Sequence, residues 1–177
     1  VATGSAAISN HAASELRSKD YRACDPGELR ILNRLQPGMS LGTYQVTTDP
    51  TKQFQRYDSN VISDPLDWYR LTSTWGEPVT TPCTVIEYLW GYAMQGLGPF
   101  VGDSVGLFGA IEIGFHHGPF LVNCDYRLES KVLCVGQSPQ TEYVWYETEA
   151  FNSANQRVAT MLMQSRVMKA SSPEYAS

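Results

Sequence analysis

The sequence predicts an α+β domain in which a curved antiparallel sheet wraps one apolar helix. Three observations lead there. One stretch, residues 82–96, has helical periodicity and is apolar nearly all round. Four long runs rich in β-branched and aromatic residues follow it, separated only by short turn-forming segments. One further strand candidate precedes it. A helix without a polar face has to be buried on most sides, and consecutive strands with short links pair antiparallel. Both requirements are met if the sheet curls round the helix.

The elements follow in chain order. Residues 1–10, small and polar, read as a loose terminus. Two short helices are expected over 11–24 and 25–38, the second with Asp25 as N-cap, Pro26 at the first helical position and Gly38 past its end. "TYQVTTD" (43–49) is the early strand. Residues 64–75 read as a short helix and loop capped at Asp64, with Pro65 following. The central helix starts at Thr81-Pro82 and stops at Gly96 and Gly98; Ile86, Leu89, Trp90, Ala93 and Leu97 form its apolar stripe. The strands 104–117, 120–135, 139–151 and 156–170 then form an antiparallel meander, broken at "GPF", "GQSPQ" and "NSANQ". This divides the chain into an N-terminal helical extension (1–42), the helix-and-sheet domain (43–170) and a flexible tail (171–177). A sheet of this kind exposes edge strands, and a homodimer pairing two sheets is the expected remedy.

Composition excludes several function classes. The 177 residues are 42% hydrophobic and 18% charged with a net charge of −5, so no broad basic surface is available for nucleic acid. No apolar run approaches the ~20 residues of a membrane span. Cys24, Cys83, Cys124 and Cys134 form no C-x-x-C pair and have no histidine at zinc-ligand spacing, so they read as reduced, mostly buried thiols. With no N-x-S/T sequon, the expectation is a cytoplasmic protein; the chain begins at Val1 rather than Met, which leaves room for a removed targeting segment. No glycine-rich phosphate loop, metal cluster or Ser-His-Asp motif is present, and no cofactor is expected.

The chemistry concentrates at the start of the helix. "GEPVTTPCTVIEYLW" places Gly76, Glu77, Pro78, Val79, Cys83, Glu87 and Trp90 in an order that resembles the β-hydroxyacyl-thioester dehydratase/isomerase branch of the hot-dog fold, in which a helix lies in a curved sheet. "AIEIGFHHGPFLVNCDYRLESKV" (110–132) resembles a strand pair shared by that branch and the MaoC-like hydratases. The similarity covers roughly 43–170. It implies an acid on the helix, Glu87, working with a histidine fourteen residues earlier. That position is Ser73. A glutamine or histidine four residues after the acid is replaced by Gly91. The MaoC-like pattern D-x-N-P-[IL]-H meets "DSNVIS", which keeps Asp58, Asn60 and Ile62 but has Val61 for proline and Ser63 for histidine. The usual acid–histidine pair is missing on either alignment.

Glu87 is therefore the leading catalytic candidate: a carboxyl on an apolar helix, tuned between helix dipole and burial, serves as general acid or base. His116 and His117 are the candidate partners, and since strand neighbours face opposite sides, one of them points towards the helix. His11 reads as a surface residue. Ser73 and Gly91 take substrate-lining positions by the resemblance, with Tyr88, Phe115 and Pro119 as further lining candidates beside the acid and the histidines. The remaining aromatics read mostly as core, and Asp58, Asp64 and Asp67 as turn and cap residues. The resemblance implies an acyl or polyketide thioester, carried on CoA or a carrier protein, undergoing dehydration, double-bond isomerisation or cyclisation in fatty-acid or secondary metabolism. Two other readings stay open: an acyl thioesterase using Glu87, and a non-catalytic acyl-binding module.

Overall fold

The computed structural model describes residues 14–63 and 66–176; His11, Asp64 and Pro65 lie outside them. Five strands, β1 (Ser40–Thr47), β2 (Gly106–Phe115), β3 (Asp125–Gln137), β4 (Thr141–Phe151) and β5 (Arg157–Met168), form one antiparallel sheet in the order β1-β3-β4-β5-β2. Helix α1 is Thr51–Asp58 and helix α2 is Pro82–Val101. The α2 side chains Val85, Leu89, Ala93 and Leu97 are fully buried in a core that includes Leu128, Val144, Tyr146, Met161 and Met163. The expected helix-in-sheet plan is what forms.

The strand connections differ from a simple meander. β3, β4 and β5 follow one another by hairpins, but β2 pairs with β5 at the far edge instead of with β3. The link 116–124 is longer than a hairpin loop and crosses to the other side of the sheet. The turn residues "GP" mark a break without saying how far the chain then travels. On the way it meets the segment ahead of α2, where Val79 pairs with Leu121.

Helix α2 also runs past the predicted stop. Gly96 lies inside it because the Leu41 carbonyl oxygen packs where a side chain would be: an added Cβ would sit 1.7 Å from it. The chain leaves the helix at Gly102, with φ of 60°. Helix α1 was not anticipated from the sequence. Its one buried residue is Gln53, so it has no apolar stripe to announce it.

Among the described residues, neither of the two expected N-terminal helices forms. Residues 15–18 make turns, and only Pro26–Glu28 make a single 3-10 turn, capped as expected by Asp25, whose Oδ1 accepts from Gly27 N at 2.8 Å. The segment packs on the sheet as a run of bends and turns instead: Cys24 N donates to Val135 O, Gly38 N donates to Val132 O, and Leu29, Ile31, Leu32 and Leu35 are buried. Glu142 of β4, itself fully buried, holds it there by accepting from the backbone N–H groups of Arg30 (2.8 Å), Ile31 (3.1 Å) and Leu32 (2.8 Å). The expected flexible tail docks on the same carboxylate, Tyr175 Oη donating to it at 2.7 Å. The sheet's other face carries a smaller cluster of Cys134, Tyr143, Trp145 and Leu162, with Tyr21 stacked on Trp145 at 4.4 Å. The short 64–75 helix reduces to one 3-10 turn, Asp67–Tyr69. All four cysteines are free thiols; Cys134 is buried, Cys24 and Cys124 are half-buried, and Cys83 is exposed.

Candidate active site

The N-terminus of α2 is fixed from two sides. Thr81 is the N-cap, its Oγ1 accepting from Thr84 N at 3.4 Å. Gln53 of α1 accepts from Thr81 N at 2.8 Å and donates to the carbonyls of Tyr69 (2.7 Å) and Val79 (2.9 Å). On the other side, Thr80 Oγ1 donates to Phe120 O at 2.7 Å. The first turns of the helix are thus positioned by a buried polar side chain and by the crossing link.

Glu87 stands in the second turn. Its neighbours two residues away, Val85 and Leu89, face the sheet, so at ~100° per residue Glu87 points to the open side of the helix. There Arg56 of α1 reaches over, and its Nη2 donates to Glu87 Oε1. The Glu87 side chain remains 39% exposed and that of Arg56 27%. The hydrogen bond that Arg56 donates to Glu87 holds its guanidinium above its usual range, against the opposing effect of burial. Arg56 and Gln53 are three residues apart on α1 and share a face, so one short helix sets both the cap and the acid. Cys83 and Gly91, one turn before and after Glu87, lie on the same open side: Cys83 is exposed, and a Cβ on Gly91 would meet nothing within 4 Å. Adjoining them, Trp90 packs on Phe108 with ring centroids 5.4 Å apart, and an apolar cavity of about 110 Å³ lies between Trp90, Met94, Leu97 and Val101 and the strand residues Leu107 and Phe108.

The other anticipated residues lie elsewhere. Tyr88 is turned towards β1: its Oη accepts from Asp49 N at 2.7 Å, burial pushes its hydroxyl pKa up, and its ring lies 6.1 Å from Phe120. Ser73 Oγ donates to Glu77 O at 2.6 Å and accepts from Trp75 N at 3.2 Å, which makes it a turn brace. His116 Nε2 bonds Thr160 Oγ1 at 3.1 Å. Thr160 is paired with Gly114 and lies two residues from Leu162, so His116 is on the sheet face opposite α2. His117 is exposed; its Nδ1 lies 3.0 Å from Arg157 O, and a carbonyl only accepts, so Nδ1 carries the proton. With Pro119, Trp75, Asn123 and Asp125 it lines an open cleft of about 440 Å³ at the end of the sheet, which Glu87 does not line. Phe115 ends β2 half-exposed, and Asp58 is held by Arg70 at 2.5 Å on the surface. The structure therefore gives Glu87 an arginine where the sequence suggested a histidine. Arg56 could not be read from the sequence, because nothing in "TKQFQRYD" marks one of its charges as facing residue 87. Among the described residues, no three of His, Cys, Asp or Glu stand together as metal ligands would, and no helix is long and apolar enough to cross a membrane.

No family model and no curated protein sequence matches the chain. Solved structures do resemble it. A monoamine oxidase regulatory protein from an Archaeoglobus species aligns over 77% of this chain and 93% of its own at 16% identity and a TM-score of 0.63. A MaoC-like dehydratase from Rhodospirillum rubrum aligns over 77% and 95% at 14% identity and 0.56. A hot-dog-like protein from Thermanaerovibrio acidaminovorans aligns over 75% and 82% at 16% identity and 0.52. At these identities the likeness concerns the fold, and the fold is the hot-dog fold.

Proposed function

We propose that this hot-dog protein is an enzyme that moves a proton on an acyl or polyketide-type thioester, with Glu87 as the base and double-bond isomerisation as the reaction. The observation that carries the reading is the Arg56–Glu87 ion pair on the open side of α2. A carboxylate accepting from a guanidinium is an acceptor, suited to taking a proton from carbon. Dehydration also needs an acid to protonate the leaving hydroxyl, and a histidine commonly fills that role. Here the positions expected to supply it are Ser63 and Ser73, and His116 faces away. Moving a double bond from β,γ to α,β needs only one group, which takes the α-proton and returns it to the γ-carbon. The apolar cavity beside Trp90 and Met94 suits a short hydrocarbon tail.

The test offers β,γ-enoyl and 3-hydroxyacyl thioesters to the wild type and to Glu87→Gln, following conjugation by absorbance. Isomerisation by the wild type, lost in the variant, is expected; turnover of the 3-hydroxyacyl ester alone would replace isomerisation with dehydration. Release of free thiol dependent on Glu87 would favour the thioesterase reading, which likewise needs no histidine.

The active form is proposed to be a homodimer. Edge strand β2 presents Phe108, Ile111 and Phe115, with Phe108 65% and Phe115 52% exposed, an unusual amount of apolar surface beside unpaired backbone. Phe108→Glu should convert the dimer to monomer in sedimentation; a wild type that is monomeric at micromolar concentration removes the proposal.

A further inference from the structure

We infer that Arg56 is a second catalytic residue, its Nη1 receiving the carbonyl oxygen of the substrate while Glu87 takes the neighbouring α-proton; this rests on the reading of Glu87 as the base. Three observations support it. Arg56 Nη2 is committed to Glu87, whereas Nη1 is buried and has no acceptor. A buried donor left unpaired is costly, and in a native protein it calls for a partner. The guanidinium is planar and rigid, so Nη1 is held next to the nitrogen that bonds Glu87, as the carbonyl of a thioester stands next to its α-carbon. Finally, the helix face next to Glu87 has room for a substrate: apart from the helix's own backbone and the adjoining residues, nothing stands within 4 Å of where a Cβ on Gly91, one turn on, would be.

The step balances without any further reactant. A Glu87 oxygen forms a bond to the α-proton, and the C–H electron pair becomes a double bond between the α-carbon and the carbonyl carbon, giving a dienolate in which the β,γ double bond is still in place. The carbonyl π pair moves onto oxygen, which accepts hydrogen bonds from Nη1; Arg56 keeps its protons throughout. The electron pair then returns through the conjugated system to the γ-carbon, which takes the proton back from Glu87. The carboxylate is regenerated and the double bond lies α,β.

A probe that mimics the oxyanion separates this inference from the reaction assigned to the site. 4-Nitrophenol is titrated by absorbance in the presence of Glu87→Gln, and of Glu87→Gln combined with Arg56→Met or Arg56→Lys. The expected result is a bound phenolate that forms at lower pH than the free one, an effect lost with Arg56→Met and partly kept with Arg56→Lys, which retains charge but not the fork. In isomerisation assays of Arg56→Met with Glu87 intact, kcat should fall about 10²–10³-fold, as when one oxyanion donor is removed, with KM little changed. Phenolate ionisation that ignores residue 56 overturns the inference, as does isomerisation that needs Glu87 but is unaffected in both Arg56 variants; either leaves the role of Glu87 as base standing. Arg56-dependent phenolate binding with no thioester isomerised keeps Arg56 as an oxyanion donor and removes the reaction instead.

Discussion

Glu87 on α2 and Glu142 on β4 are both carboxylates set among apolar neighbours, and their surroundings differ in almost every respect. Glu142 is fully buried and gathers three backbone N–H groups and the Tyr175 hydroxyl. Burial pushes its carboxyl up, but the hydrogen bonds from Tyr175, Arg30, Leu32 and Ile31 outweigh it and hold the group below its usual range. Glu87 keeps two fifths of its side chain in solvent and, among the described residues, is bonded by one guanidinium on a neighbouring helix. A carboxylate whose lone pairs are all engaged by its own chain is a staple. One with spare lone pairs at an open face is available to a ligand.

The comparison can be broken most sharply by exchanging the readouts. Glu87→Gln should lower turnover about 10²–10⁴-fold while changing stability by less than about 1 kcal/mol, since a half-exposed ion pair contributes little. Glu142→Ala should do the reverse. Stripping four donors of their acceptor should cost on the order of 4 kcal/mol in denaturant midpoint, with turnover of the surviving folded protein unchanged. A loss below about 1 kcal/mol for Glu142→Ala would mean that water replaces the carboxylate and that the staple is incidental.

The pH dependence of stability sharpens the staple half. The Glu142 carboxyl is held low in the folded state, so its contribution is full above the unfolded value of about 4.3 and disappears as pH falls through the folded one. Tyr175 moves the other way: burial and the adjacent Glu142 raise its hydroxyl pKa to about 12. Its contribution is full below the unfolded value of about 10 and is lost as pH rises through the folded one. Melting temperature against pH should therefore fall off at both ends, and both slopes should be shallower in Glu142→Ala.

A smaller test lies within α2 itself, whose two sides repeat the contrast. Gly96→Ala would push a Cβ into the Leu41 carbonyl and should cost about 1–3 kcal/mol. Gly91→Ala faces open space and should stabilise the helix by up to about 1 kcal/mol, yet slow turnover if substrate passes over that face. A destabilising Gly91→Ala would show that the face is closed.

How much of this the sequence reveals depends on the kind of signal. Helix α2 and the long strands were legible because apolar periodicity reports burial directly. Helix α1 was not, because its buried residue is Gln53 and a polar helix leaves no stripe. Glu87 stands out as a candidate by its place on α2, but Arg56 does not, since ion pairs between residues 31 apart in sequence have no local pattern. Glu142 was hidden for a different reason: in "TEYVWYETEAF" it is one of three glutamates, and only the segment that folds over it tells it from the other two. The second N-terminal helix, 25–38, is expected from sound capping residues, but a packed sheet face and a buried carboxylate compete for the same backbone N–H groups, and those tertiary partners prevail.

The staple also sets where the chain can be cut. Residues 30–32 and Tyr175 are anchored to the same side chain, so an early and a late segment of the chain are mechanically joined though far apart in sequence. A protease nick that frees one should loosen the other. A fragment trimmed to 43–170 would leave Glu142 a naked charge over an uncovered patch of sheet. Expression fragments and fusion partners should therefore leave everything from Cys24 to Tyr175 intact.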